Sequence, residues 1–226
     1  MTEVTTMKNE KRMFDCEIRA EQIPGCGRLE GRAILYNSRT TIAQRFDEII
    51  LPGAIKEPAL KDVPFFVNHN TDMIPLARSR NNNENSTMQL FLDDEGLGFR
   101  IDLDIENNAE ARALYSAVER GDISGMSFMM LGIKDRWEGA RSGHPLRYIE
   151  SIGQIGELSA VNHPAYTQTS IESRDNFGTL DSALESLDSA IAEEEAEERE
   201  KLANERRMAA LERLEKNQKE VRDHEV

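Results

Sequence analysis

Ser127 stands in Gly121-Asp-Ile-Ser-Gly-Met-Ser-Phe128, with glycine two residues ahead of it in a stretch that reads as an apolar strand. A nucleophilic serine needs a backbone that permits close approach, and neighbouring amides free to face a developing oxyanion. It also needs a base, because the hydroxyl is a poor nucleophile until its proton is taken, and the base works best when a third group fixes its tautomer. The chain holds four histidines. His224 lies in a charged tail and His144 in a Gly/Pro loop, which leaves His69 and His163. His69 follows the apolar run Val63-Pro-Phe-Phe-Val-Asn68, so a strand delivers it to a loop, where a side chain is anchored yet able to reach a cleft. Glu157 interrupts the otherwise apolar Ile155-Gly-Glu-Leu-Ser-Ala-Val161. A carboxylate there either faces water at a sheet edge or has a specific partner. Together the three side chains would serve acyl transfer, with His69 as base, Ser127 as nucleophile and Glu157 as orienter.

Other chemistries have less support. No phosphate-cradling glycine loop followed by Lys-Ser/Thr occurs, and no His-Glu-x-x-His helix. Cys16 and Cys26 are too few for a disulfide framework and lack zinc-site spacing, so both read as reduced thiols. Cys26 paired with His69 would make a cysteine hydrolase, but Pro24-Gly-Cys-Gly27 reads more simply as a turn. The acidic pairs Asp93-Asp94 and Asp102/Asp104 read as solvated faces in so acidic a chain.

The elements that must position these groups follow from hydropathy. Phe14, Cys16, Ile18 and Ala20 alternate with charged residues, as in a half-buried strand. Arg28 to Tyr36 is expected as a second strand, with Gly31 at a bulge or close approach. Phe46 to Ile55 is a strand running through Pro-Gly into a short helical piece limited by Pro58. Met88, Leu90 and Leu92, then Asp93-Asp-Glu-Gly96, then Leu97, Phe99, Ile101 and Leu103 make the clearest hairpin. Asn107 or Asn108 caps a helix with an apolar stripe of Ala111, Leu114, Tyr115 and Val118, ended by Gly121. Beyond it Met126, Phe128 and Met130 alternate around Ser127, which therefore points to the opposite side, toward solvent or a cleft. Residues 131–138 and 146–152 read as a further strand pair.

A length of 226 residues suits one domain with an appendage. The expected division is a disordered N-terminus over 1–11, a domain over 12–173 and an acidic helical tail over 174–226. Residues 181–226 carry 15 acidic and 8 basic side chains, and the acidic run from Glu193 to Glu200 breaks the heptad phase between its two leucine groups. The formal charge of −14 disfavours a broad grip on nucleic acid or an anionic membrane and favours protein partners. No apolar run approaches a membrane span, and Met1 to Arg12 has no secretion-signal core, so a soluble chain in the cytosol of whatever cell makes it is expected.

In chain order these residues resemble the caudovirus prohead proteases, the serine peptidases with which tailed phages mature their capsids. The resemblance runs from about Met13 to Ala165, through Gly31-Arg-Ala33, Ile49-Ile-Leu-Pro-Gly-Ala54, Val67-Asn-His-Asn70, Gly121 to Phe128, and Glu157-Leu-Ser-Ala-Val161 with Pro164-Ala165. It matches His69, Ser127 and Glu157 to the family's histidine, nucleophile and strand acid. It departs at Met129 and Ala77, where members often carry glycine. The implied fold is β-rich α+β, a mainly antiparallel β-barrel with surrounding helices like the herpesvirus assemblins. The implied activity is a cofactor-free serine endopeptidase inside the phage procapsid. It would cut the scaffold segment of the capsid protein, or a separate scaffolding protein, and itself, and a homo-oligomer is compatible with that role. The acidic tail would dock the enzyme to scaffold or shell and later be removed. The rival reading is a non-catalytic capsid assembly or scaffold protein built on a protease-like core.

Overall fold

The computed structural model describes residues 9–15, 18–162 and 177–224. Cys16, His163 and the Pro164-Ala165 end of the family-like stretch lie outside the described residues, as does the side chain of His224.

The alternation from Phe14 to Ala20, which reads as one strand, is divided between two sheets. β1 spans Asn9–Asp15 and β2 spans Ile18–Ile23. β3 (Cys26–Leu35), β4 (Thr40–Ile42) and β5 (Phe46–Ile50) follow. A 3-10 turn at Glu57–Leu60 begins where Pro58 tolerates a missing amide donor and leads into β6 (Asp62–Val67) and β7 (Ala77–Arg80). β8 (Met88–Asp93) and β9 (Gly96–Leu103) form the expected hairpin, with Leu97, Phe99, Ile101 and Leu103 all buried. α1 (Ala109–Glu119) starts at Asn108, whose side chain accepts from the amides of Glu110 and Ala111. Ala111, Leu114, Tyr115 and Val118 are buried, and Gly121 at φ 78° closes the helix by donating to the Val118 carbonyl at 2.9 Å. The helix packs closely on β3: a Cβ at Gly27 would come within 2.5 Å of the Tyr115 ring.

β10 (Gly125–Glu138) and β11 (Leu146–Val161) are longer than the sequence pattern suggests, each joining two expected strands into one. They pair antiparallel along their length, with register shifts at Met129/Met130 and Lys134/Asp135. Such shifts bend a strand and raise its twist without ending it. α2 (Phe177–His224) is a single helix.

The strands form two sheets and do not close into the expected barrel. A seven-stranded sheet runs β1-β10-β11-β5-β4, with β6 also on β11 and β7 on β6, and a four-stranded sheet runs β2-β3-β9-β8. The cause lies in β11. Its second edge is shared, with β5 parallel to Leu146–Ile149, Ile55 bridging at Ile152, and β6 parallel to Leu158–Ala160. Two separate partners on one edge make the sheet branch there. Both sheets and α1 contribute to one apolar core, which includes Leu29, Phe99, Leu114, Phe128, Ile149 and Leu158.

Candidate active site

β6 and β10 flank β11, so the candidate groups come from three adjacent strands of one sheet, with Ser127 on β10, Glu157 on β11 and His69 just past the end of β6. Ser127 is directly opposite Ser159 in the β10–β11 register, and Met129 is opposite Glu157. Directly paired residues share a sheet face, and so do residues two apart. Ser127, Ser159 and Glu157 therefore project from one face, while Met126, Phe128, Leu158 and Ala160 project from the other into the core. All three polar side chains are buried. Ser127 does not face solvent, as its position opposite the apolar residues had left open; it is fully enclosed at 0% exposure.

His69 reaches this face from the end of β6. The Asn68 amide donates to the Ala160 carbonyl at 2.9 Å, and the Asn68 side chain accepts from the Asn162 amide at 3.1 Å, which ties the segment to the end of β11. Asn68 and His69 both sit at positive φ, 51° and 58°. Asparagine and histidine are both enriched there, yet the conformation costs any non-glycine residue energy, and such strain persists where the surroundings hold a side chain in a required place. What holds His69 is Glu157, whose carboxylate Oε1 contacts the imidazole Nδ1. The choice left open for Glu157, water at an edge or a specific partner, is thus settled in favour of a partner.

Three polar atoms on this face are buried with no hydrogen-bond partner among the described residues: His69 Nε2, Glu157 Oε2 and Ser159 Oγ. Buried polar atoms are almost always paired, and while Thr40 Oγ1 and Ser79 Oγ are also unpaired among the described residues, only this face gathers three such atoms, which makes it the candidate site. With Nδ1 engaged by the carboxylate, Nε2 is the imidazole atom left to exchange a proton. Ser127 is not hydrogen-bonded to it. The Ser127 hydroxyl donates to the backbone carbonyl of Arg12 in β1, at 2.7 Å. The structure therefore brings histidine and glutamate together, with the serine two strands from the histidine's own strand and its proton directed elsewhere.

Met129, one of the departures from the family pattern, lies at the bulge. A Cβ at Gly156 would come within 3.1 Å of its sulfur, so the bulky side chain is accommodated by the absence of one opposite. Ala77 is buried at the start of β7.

Sequence reasoning passed over two features. Ser159 lies two residues from Glu157 in a strand, and that spacing alone places it on the same face. The second is a cluster of buried charges. Arg12 donates to Glu48 at 2.6 and 2.8 Å and to Glu10 at 2.5 Å, while Arg147 donates to Glu10 at 2.6 and 2.9 Å, to Glu48 at 3.0 Å and to Asp135 at 2.5 Å. Burial pushes the Glu10 carboxyl up, but the Arg147 hydrogen bond and the two guanidinium charges outweigh it and hold the group below its ordinary range. Burial would likewise lower the Arg12 and Arg147 values, yet the facing carboxylates raise both. The available signal was charge inside apolar strands, as at Glu48 in Phe46-Asp-Glu-Ile-Ile50.

Of the remaining candidates, His144 Nε2 contacts Asp47 at 2.9 Å, away from His69. Burial, set against hydrogen bonds from His144, Thr41 and Arg39, leaves the Asp47 carboxyl lowered to about 2. Asp93 and Asp102 are taken up by Arg32 and Arg28. Cys26 is half-buried in the strand that pairs with β2, and burial followed by the charge of Asp102 raises its thiol pKa, the wrong direction for a nucleophile. Among the described residues no group of three or more His, Cys, Asp or Glu is arranged to hold a metal ion, and no helix is long and apolar enough to cross a membrane.

Comparison with known proteins adds the family. None of the curated proteins compared matches this chain. Among solved structures it is similar to the capsid assembly protease of bacteriophage T4, at 14% identity over 69% of this chain and 99% of that one, with a TM-score of 0.39. The family described as Caudovirus prohead serine protease matches residues 14–182. That span contains His69, Ser127 and Glu157 and both sheets beyond the start of β1, and on this match the chain belongs to the caudovirus prohead serine protease family.

Proposed function

We propose that this chain is the endopeptidase of a tailed-phage procapsid, with Ser127 as nucleophile, His69 as general base and then acid, and Glu157 as the group that orients the imidazole. One observation carries the reading: Glu157 holds Nδ1 of a strained histidine while Nε2 stays buried and unpaired. In the reaction the Ser127 hydroxyl leaves the Arg12 carbonyl and turns to Nε2. Its proton passes to the imidazole as Oγ attacks the scissile carbonyl carbon, and the imidazolium then protonates the departing amine. Water repeats the sequence to release the acyl group. Glu157 lowers the cost of the imidazolium at each step, and no metal or organic group is needed.

The substrates on this reading are the scaffold segment of the capsid protein or a separate scaffolding protein, and the chain itself. The membership of the family supports this class of substrate. We extend the proposal to the tail. α2 is docked on the sheet through Trp137, Asp135 and Ala140, which bond Ser186 and Glu194, but carries exposed Leu202, Met208, Leu211 and Leu214 farther along. Residues 174–226 would dock on scaffold or shell. The test is coexpression with the capsid and scaffold proteins of the same phage, followed by mass spectrometry of all products. New termini that disappear with Ser127→Ala are expected. Identical new termini from the variant would mean that the chain is not the protease or that Ser127 is not its nucleophile, and no new termini from either chain would leave the assembly-protein reading in its place.

A further inference from the structure

β1 lies against β10 in antiparallel register, from Asn9 opposite Leu131 to Asp15 opposite Gly125, and Met13 is directly opposite Ser127. It is the edge strand of its sheet. The Arg12 carbonyl oxygen accepts the Ser127 hydroxyl proton at 2.7 Å. The candidate nucleophile thus already faces a peptide carbonyl in an extended strand, but through the oxygen rather than the carbon, and with its proton committed to that oxygen instead of a base. A hydroxyl so engaged does not attack. Extended peptides commonly bind by adding a strand to a sheet edge, where backbone hydrogen bonds give affinity and alternate side chains give specificity. The edge of β10 beside Ser127 is such a site, and β1 fills it.

The side chains of β1 support its being a detachable occupant. Glu10 and Arg12, on the face away from Ser127, enter a socket made by Glu48 of β5 and Arg147 of β11. Glu48 and Arg147 are also bonded to each other at 3.0 Å, and Arg147 to Asp135 at 2.5 Å. When β1 leaves it takes Glu10 and Arg12, one negative and one positive charge, out of the cluster, and Arg147 remains bonded to both Glu48 and Asp135, so each charge left behind keeps an opposite partner. The usual penalty of stranding a buried charge is thereby avoided.

Resting on the protease reading above, we infer that β1 is an internal stand-in for substrate. It occupies the β10 edge on which an extended peptide pairs, with the Arg12 carbonyl near the position of the scissile one. The peptide that replaces it presents a basic side chain to Glu48 and, two residues earlier, an acidic one to Arg147.

The test is a reversible lock. Asn9→Cys with Leu131→Cys places two thiols at directly paired positions, where strand spacing suits a disulfide, and at the end of β1 far from Ser127. With the crosslink mapped by mass spectrometry, the oxidised full chain should cleave an added acid-x-base peptide at least about 10-fold more slowly than the reduced chain, and reductant should restore the rate. Equal rates in the two states would show that substrate enters elsewhere and overturn the inference. A second arm uses the unaltered protein, so the outcome does not depend on the variant folding. A synthetic peptide of residues 9–15 should slow cleavage and a scrambled one should not; equal effects of the two would also overturn it. If the unaltered protein cleaves none of a peptide panel nor any capsid or scaffold protein, the protease reading itself fails. That result is separate from the lock and competition results.

Discussion

Two buried polar clusters lie on opposite faces of the β1–β10 pair, and they differ in how fully their hydrogen bonds are made. Glu10, Arg12, Glu48 and Arg147 bond chiefly one another, and the remaining guanidinium bonds go to the Lys11 carbonyl from Arg12 and to Asp135 from Arg147. His69, Glu157 and Ser159 leave three atoms unpaired, and Ser127 spends its proton on a backbone carbonyl. A saturated ionic cluster fixes geometry and has nothing left with which to bind or react. An unsaturated one is costly to fold around, and the cost is retained where the open valences are used. Burial and charge do not distinguish the two clusters in this protein; hydrogen-bond completeness does.

The comparison can be broken most directly at Ser127. Ser127→Ala should lower peptide cleavage by about 10⁶-fold, as loss of a triad nucleophile does, while costing about 1 kcal/mol of stability for the one hydrogen bond lost to Arg12. Activity near the unaltered level would assign the unsaturated face to some other purpose. Next in size is Glu157→Gln, which keeps the shape but removes the charge facing Nδ1; kcat should fall about 10⁴-fold with KM little changed. A fall in KM affinity alone would mean that Glu157 binds substrate rather than orienting the imidazole.

On the saturated side, Arg147→Met leaves Arg12 as the one guanidinium between the buried carboxylates of Glu10 and Glu48, an excess negative charge in the interior. Denaturant titration should show a loss of about 3–5 kcal/mol. A loss under 1 kcal/mol would indicate that water reaches the cluster. Asp47 gives a pH test. Its carboxyl is lowered from 3.8 to about 2 in the folded chain, so the stabilisation it supplies is fully present above pH 3.8 and is lost as pH falls through about 2. The Tm gap between the unaltered chain and Asp47→Asn should narrow over that window, and a gap that stays constant would contradict the assignment. The smallest effect belongs to Ser159→Ala. Removing a hydroxyl with no partner should leave Tm unchanged or raise stability by up to about 1 kcal/mol; a clear loss would reveal a bond to Ser159 Oγ in solution.

Much of this was readable from local pattern. The β8–β9 hairpin, the Asn108 cap and the apolar stripe of α1 follow from residue spacing, because each depends on neighbours a few positions away. Glu157 was conspicuous because charge in an apolar strand needs a reason. The same argument applied to Glu48 would have pointed to the ionic cluster, but its four partners come from three strands distant in sequence, and no local signal pairs them. The barrel expectation failed for a similar reason. Parallel pairing of β5 and β6 to one edge of β11 leaves no trace in the alternation of either strand.

The sequence by itself determined that the chain is β-rich with a helical acidic tail, that Ser127 turns away from the apolar side of its strand, and that His69 ends one. Side-chain alternation and helical periodicity are properties of the backbone, so composition and spacing suffice for them. Only the tertiary structure decided that Glu157 meets His69, that Ser127 is covered, and that the atom covering it is the carbonyl of Arg12. Every residue carries the same carbonyl, and where it lands depends on strand order and register, which long-range packing sets.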